Sequence, residues 1–330
     1  MKPLYFDHNA TTPVLPEVFE AMRPYLTEQY GNPSSAHPWG VRARDAVERA
    51  RAQVAALIDA EPEEVVFTSC ATEGNHTVLH GIFQDDPHGR LVVSAVEHPS
   101  VLEPARRLAR EWADLEPVGV DARGVVDAGA FTRALTPDTE LASVMLANNE
   151  TGVVQPVAAL AAEALERGVL FHTDAAQAVG KIPVSVKDLG VDFMTIAGHK
   201  LYAPKGVGAL FVRMVRPLPP LLLGGGQERG MRAGTENVAH IVGLGEACAA
   251  ALKDLAEEGQ RQRMLGAALA EELGRMDHDF AIHGEGAERL PNTLSVGFKG
   301  FAAGDIVTGL GRLDVAVSAG AACHGACHGG

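Results

Sequence analysis

Asp174 and Lys200 are the pair whose types and spacing could do chemistry together. Asp174-Ala175-Ala176-Gln177 follows an apolar run that ends near His172, and Ala197-Gly198-His199-Lys200 follows the run 193–196. Read as buried strands, these runs put both segments at strand carboxyl ends, where open α/β sheets bind ligands. A lysine there can form a Schiff base once desolvation lowers its pKa. An aspartate there can keep a pyridinium nitrogen protonated, which makes such a ring an electron sink. Taken singly, Asp174 reads better as a helix cap and Lys200 as an ordinary surface lysine.

Further polar segments end other apolar runs. Thr68-Ser69-Cys70-Ala71-Thr72-Glu73-Gly74 leads from a strand into a helix start. Exposed N–H groups and hydroxyls there make a phosphate cradle, or simply a helix N-cap. Glu97-His98-Pro99 and Asn148-Asn149-Glu150-Thr151-Gly152 complete the set; a lone histidine is more often structural than catalytic, and the second is a polar turn. Cys323 lies near the end of the chain among glycines. It is either a nucleophile on a movable element or a free thiol in a frayed tail.

These segments need elements to hold them. Apolar runs at 65–67, 91–93, 142–146, 169–171, 193–196 and 208–212 read as strands buried on both faces. Between them, 41–58 carries Val47, Val54 and Leu57 on one helical stripe with arginines and acids opposite. Ser100 to Glu103 fits a capping box opening another helix, and 156–167 reads as a helix stopped by Gly168. Strand–helix alternation of this kind predicts an α/β fold with a mostly parallel sheet flanked by helices. After about residue 235 the pattern changes. A long helical stretch over 237–275, broken near Gly259, precedes strands at 293–298 and 315–318 with a short helix between them. That predicts a smaller α+β domain, followed by a mobile terminal segment.

Composition narrows the function classes. The chain has 330 residues, 46% of them hydrophobic, enough for a large core of roughly two domains. A net charge of −14 argues against a broad nucleic-acid or anionic-membrane surface. No apolar run is long enough for a membrane span, and the first residues lack a signal peptide's apolar stretch. With 4 cysteines in a chain this long, a cytoplasmic protein with reduced thiols is expected. Cys70 and Cys248 read as small packing residues. Cys323-His324 and Cys327-His328 are too crowded for tetrahedral zinc and mis-spaced for a c-type haem, so no metal site is expected.

As a set, these segments resemble the NifS-like cysteine desulfurases of the class V aminotransferase family. The matching stretches are Tyr5 to Thr12, Tyr30 to His37, Ala71-Thr72-Glu73, Glu97-His98, Asn148-Asn149-Glu150 and Asp174 to Gln177. They continue with Gly198-His199-Lys200, Pro204 to Gly208, Gly224 to Thr235 and Ser318 to Cys323, so the resemblance covers nearly the whole chain. It implies a fold-type I pyridoxal phosphate (PLP) transferase. A large cofactor-binding domain would span 16–235, and 1–15 with 236–330 would form the small domain. Lys200 would anchor the cofactor and move the substrate proton, Asp174 would pair with the pyridine nitrogen, and His98 would stack on the ring. Gln177 and Asn149 would bond the ring-oxygen side. Ala71 through its backbone, Thr72 and His199 would hold the phosphate, and Thr235 would reach the phosphate of the other subunit in a homodimer. Cys323 would take sulfur from L-cysteine as a persulfide, leaving L-alanine, and pass it to an acceptor or iron–sulfur scaffold protein. Selenocysteine lyase activity, another C–S lyase, or a catalytically impaired cofactor-binding module are the alternatives on this scaffold.

Departures from the family pattern carry consequences. Ala197 stands where the family usually has Ser, removing one phosphate hydrogen bond worth about 0.5–1.5 kcal/mol. Ala319 and Ala321 stand where serines are common. Family members also continue for several dozen residues past the cysteine, a stretch with an arginine that clamps the substrate carboxylate. Here the sequence ends at Gly330, which makes Arg232 a weak candidate for that contact.

Overall fold

The computed structural model describes residues 3–84, 88–111, 113–216 and 218–320. Its strands are β1 (Leu4–Tyr5), β2 (Val65–Thr68), β3 (Arg90–Ser94), β4 (Asp114–Val118), β5 (Thr139–Ser143) and β6 (Leu170–Asp174). They continue as β7 (Phe193–Ala197), β8 (Gly208–Val212), β9 (Phe280–Ile282), β10 (Val296–Phe298) and β11 (Val315–Ala316). The helices are α1 (Pro16–Thr27), α2 (Pro38–Ile58), α3 (Ala71–Phe83), α4 (Pro99–Glu111) and α5 (Ala128–Ala134). Then come α6 (Val157–Glu166), α7 (Val186–Leu189), α8 (Val238–Gly274) and α9 (Ala303–Gly311).

A seven-stranded sheet in the order β2-β8-β7-β6-β5-β3-β4 forms the centre. Its pairs are parallel except where β8 runs antiparallel to both β2 and β7. Alternate strand residues face opposite layers, as period-2 geometry demands. Val65, Phe67, Val92, Phe171, Met194 and Ile196 pack into one core with α1, α2, α5, α6 and α8. Val66, Leu91, Val93, Leu141, Phe193 and Leu210 pack into the other with α3 and α4. The α/β fold with a mostly parallel sheet is thus present, and burial on both faces explains why its strands read as continuous apolar runs. Outside it, β1 pairs with β11 and β9 with β10. The β1–β11 pair joins the start of the chain to residues near 315.

Several local expectations need correction. The run 142–146 forms β5 three residues earlier, although Val144 and Leu146 still donate to backbone oxygens of β6 at 3.1 and 2.9 Å. β4 is mostly exposed at the sheet edge and shows no apolar run in sequence. α4 starts before Ser100, whose backbone N–H donates to His98 Nδ1 at 3.1 Å, so no Ser100 capping box forms. α8 runs unbroken through Gly259 over 37 residues. One interior glycine costs about 1 kcal/mol, too little to stop a helix held by packing against α1 and α2. Cys248 is fully buried and its thiol is pushed up to about 12 by desolvation, but Cys70 is half-buried at the mouth of α3 rather than in the core. Arg51, expected on the polar face of α2, is buried. The expected terminal segment lies outside the described residues.

Candidate active site

β2, β3, β5, β6 and β7 all point the same way, because the antiparallel β8 reverses direction between β2 and β7. Their carboxyl ends therefore share one edge of the sheet. The segments carrying Ala71 and Thr72, His98, Asn149, Asp174 and Gln177, and His199 and Lys200 all leave the sheet along that edge. β6 and β7 are neighbours, with Asp174 in register with Thr195. The α3 helix lies close over β7 at Gly74, where an added Cβ would sit 3.1 Å from the Thr195 side chain.

Asp174 is buried at the end of β6 and accepts from Asn75 Nδ2 at 2.7 Å and from Ala176 N at 2.9 Å. Asn75 Nδ2 also donates to Ser100 Oγ at 2.9 Å, and Ser100 Oγ meets His98 Nδ1 at 2.7 Å. A polar string thus ties the carboxylate of β6 to the imidazole at the start of α4. Asn75 went unnoticed in the sequence because a buried polar residue on an apolar helix looks like any surface position.

On the other side, Lys200 Nζ donates to the carbonyl oxygens of Asn9 and, at 3.0 Å, Ala10. Gln177 Nε2 donates to the same Asn9 oxygen at 3.0 Å. Lys181 Nζ donates to Gln177 Oε1 at 2.7 Å. Asn9 is anchored in turn, with Nδ2 donating to Thr293 Oγ1 at 2.9 Å and Oδ1 accepting from Asn292 Nδ2 at 2.9 Å. Asn9 and Lys181 are site residues that sequence reasoning missed. Asn9 lies inside a quoted motif, whereas Lys181 carried no signal beyond being four residues after Gln177.

The helix start of α3 is open for an anion. Its N-cap Cys70 supplies no side-chain hydrogen bond, so first-turn N–H groups face outward beside the exposed Thr72. Glu73 in that turn accepts from Ser69 N at 2.8 Å and pairs with Arg232 at 2.9 Å. Burial resists its ionisation, but Arg232 and Ser69 outweigh that and hold it below the usual carboxylate range. Arg232, the carboxylate-clamp candidate, is thus already engaged. His199 Nδ1 meets Thr11 Oγ1 at 3.2 Å. Burial, then Lys200, Lys205 and Lys181, push its imidazole down to about 4, so it is neutral near pH 7.

The remaining expected residues are placed differently. Asn149 meets Asn9 through its backbone oxygen, which accepts from Asn9 Nδ2 at 3.4 Å. Thr235 is exposed in a loop and joins none of these networks. Cys323 lies outside the described residues. Gly320 lies beside the Asn149 turn, where an added Cβ would be 3.2 Å from Glu150 Oε2.

Glu97 is a further unexpected member. It is buried, its Oε1 accepts from Met145 N at 2.7 Å and from Ser94 Oγ, and its Oε2 has no hydrogen-bond partner among the described residues. Burial, with a smaller push from Asp174, raises its carboxyl to about 8. The folded state then holds a proton that the unfolded chain releases near 4.5. Stability conferred by the neutral form is therefore lost as pH rises from about 4.5 towards 8, by on the order of 1 kcal/mol per pH unit. Glu97→Gln should flatten that slope, measured as the thermal midpoint between about pH 5 and pH 8. An unchanged slope would mean that Glu97 is ionised in the fold.

Against this geometry, the class-V aminotransferase family model matches residues 4–328. A cysteine desulfurase of Trichormus azollae is 44% identical over 98% of this chain and 81% of its own length. The cysteine desulfurase IscS of Dictyoglomus turgidum is 42% identical, covering 98% and 82%. Among solved structures, a NifS-like protein superposes with a TM-score of 0.92 at 37% identity, covering 96% of this chain and 87% of that one. The chain belongs to the class-V aminotransferase family.

Class-V aminotransferases use PLP, and the donors at this edge fit that cofactor. An uncapped helix start with the Thr72 hydroxyl suits a phosphate dianion. A buried carboxylate suits a protonated ring nitrogen, and Asn75 Oδ1, buried without a partner among the described residues, shows further unspent polarity there. An amine at Lys200 is the group that could anchor an aldehyde. Among the described residues, no group of three or more His, Cys, Asp or Glu is placed to hold a metal ion.

Proposed function

We propose that this protein is a PLP-dependent cysteine desulfurase, converting L-cysteine to L-alanine and a persulfide on Cys323. The observation that carries the reading is the convergence of Lys200, Asp174 and the Asn75–Ser100–His98 string on one sheet edge beside the open start of α3. When bound, the cofactor would supply the electron sink that labilises bonds at the substrate's α-carbon.

The chain's own residues would do the rest. Lys200 Nζ would anchor the cofactor and then carry the substrate proton. Asp174, oriented by Asn75 and Ala176 N, would hold the ring nitrogen protonated. His98, fixed through Nδ1, would present its ring face and Nε2 to the site. Ala71 N, Thr72 and His199 would take the phosphate, and Gln177 and Asn149 the ring-oxygen side. Cys323 as a thiolate would attack the substrate sulfur. A sulfur–sulfur bond forms as the carbon–sulfur bond breaks, and the electron pair left on carbon takes up a proton to give alanine. Gly320 supports that role, since three residues reach at most about 11 Å from its place beside the Asn149 turn.

The β1–β11 pairing supports a division into a large unit of 16–235 and a smaller one of 1–15 with 236–330. Exposed Thr235, with Leu223 at 86% and Tyr30 at 72% exposure, supports a homodimer in which Thr235 reaches the other subunit's phosphate site. A cytoplasmic setting and a sulfur-acceptor or iron–sulfur scaffold partner belong to the same reading. Among the described residues, no helix is long and apolar enough to cross a membrane. The test is turnover of L-cysteine by PLP-loaded protein with a reductant. Equal amounts of alanine and sulfide are expected, and when the reductant is left out the Cys323 peptide should carry one extra sulfur by mass spectrometry. Alanine formation that continues unchanged in Cys323→Ala would sink the persulfide route.

A further inference from the structure

We propose that Lys181 is a positioning residue that fixes which way the Gln177 amide faces, and so makes Gln177 a hydrogen-bond donor to the bound cofactor. The inference rests on the cofactor reading above and assigns a role to a residue outside it. Lys181 follows Gly180, whose φ of +77° lets the chain turn, and its backbone N–H donates to Ala178 O at 3.0 Å. That turn brings Nζ back to Gln177 Oε1 at 2.7 Å.

An ammonium group has donors only, and a carbonyl oxygen accepts only. Lys181 can therefore bond only the oxygen of the Gln177 amide, and Asn9 O can bond only its nitrogen. Turning the amide over would set N–H against ammonium and oxygen against oxygen, losing both bonds at a buried site. One orientation is thus enforced from both sides. Gln177 Nε2 carries two hydrogens, and Asn9 O takes one. The other remains for an acceptor in the site, and the same Asn9 oxygen also receives Lys200 Nζ. A string of contacts therefore runs Lys181–Gln177–Asn9–Lys200. A donor facing an oxygen of the cofactor ring favours the ionised form of that oxygen. Burial, with repulsion from Lys200, pushes the Lys181 ammonium down to about 7, so the orientation is enforced from both sides below that pH, where the group is donor-only, and from the Asn9 side alone above it.

The experiment compares wild type, Lys181→Met, Gln177→Ala and the double variant as PLP-loaded proteins. Two quantities are read: the cofactor dissociation constant and the position of the visible absorption band. Lys181→Met should weaken cofactor retention about two- to twelvefold, the worth of one hydrogen bond, and displace the band. In the Gln177→Ala background the same substitution should change neither. Equal changes in both backgrounds would overturn the proposal, since Lys181 would then act through its charge alone. No change in the single variant would overturn it as well. Lys181→Arg keeps a donor-only cation in the same place. It should retain the wild-type band and serves should Lys181→Met not fold; a band displaced as far as in Gln177→Ala would count against the proposal. Wild type that forms no visible band with PLP marks a failure of the cofactor reading itself.

Discussion

Lys200→Ala should fold, bind PLP more weakly, and turn over L-cysteine about 10²–10⁴-fold more slowly, the span expected when a positioned proton-transfer group is lost. The fold should survive because the side chain is partly exposed and its mapped bonds go to the backbone oxygens of Asn9 and Ala10. The Asn9 oxygen keeps a partner, since Gln177 Nε2 still reaches it. Activity should fall by that much, because under the proposed function the amine at the carboxyl end of β7 would anchor the cofactor and carry the proton. Borohydride reduction followed by peptide mass spectrometry should fix the cofactor to the Lys200 peptide in wild type and leave it unattached in the variant. Attachment to Lys181 instead, or turnover within tenfold of wild type, would reassign the anchor.

The largest expected loss of stability lies elsewhere, at Glu228→Gln. Arg51 and Glu228 form a bidentate pair at 2.7 and 2.8 Å, with side chains only 4% and 3% exposed. Glu228 Oε2 also accepts from Phe67 N at 2.8 Å, and the Arg51 guanidinium lies 4.7 Å from the centre of the Phe67 ring. Burial opposes the charge on Arg51, but Glu228 more than compensates and keeps the guanidinium ionised. Removing the carboxylate leaves the buried cation only the half-exposed Glu48, at 3.1 Å, as a charged partner, at a cost of up to about 3–5 kcal/mol. The paired change Arg51→Met with Glu228→Met should cost less than Glu228→Gln alone, because no unpaired charge remains. Denaturant unfolding of the three variants checks the order. Glu228→Gln as stable as wild type would mean that the pair is not buried in solution. The effect should extend to the site, because Glu228 braces β2, and β2 leads directly to Ala71 and Thr72.

Where these two effects originate shows how far the chain's residues speak for themselves. Lys200, Asp174, Gln177 and His98 were legible because each follows an apolar run, and a strand's carboxyl end is a local property of sequence. The alternation of such runs with helical stripes likewise announced the layered sheet. The Arg51–Glu228 pair was invisible, since Arg51 on α2 has the spacing of a solvent-facing residue and its partner lies 177 positions away. Gly259 misled for a related reason, because a local helix penalty is outweighed by packing that the sequence does not display. β4 gave no signal because an edge strand with one wet face needs no apolar run.

The residues by themselves thus determined which chemical groups the protein owns, which elements carry them, and in what order they leave the sheet. Tertiary structure alone decided which groups meet. It joined Asn75 to Asp174 across 99 positions, Asn9 to Lys200 across 191 and Asn9 to Thr293 across 284. It also bound Arg232 to Glu73 rather than leaving it open to a carboxylate. Local propensity reaches a few residues along the chain. Burying a carboxylate, an amide or an ammonium is tolerable only where the fold delivers its partner from far away.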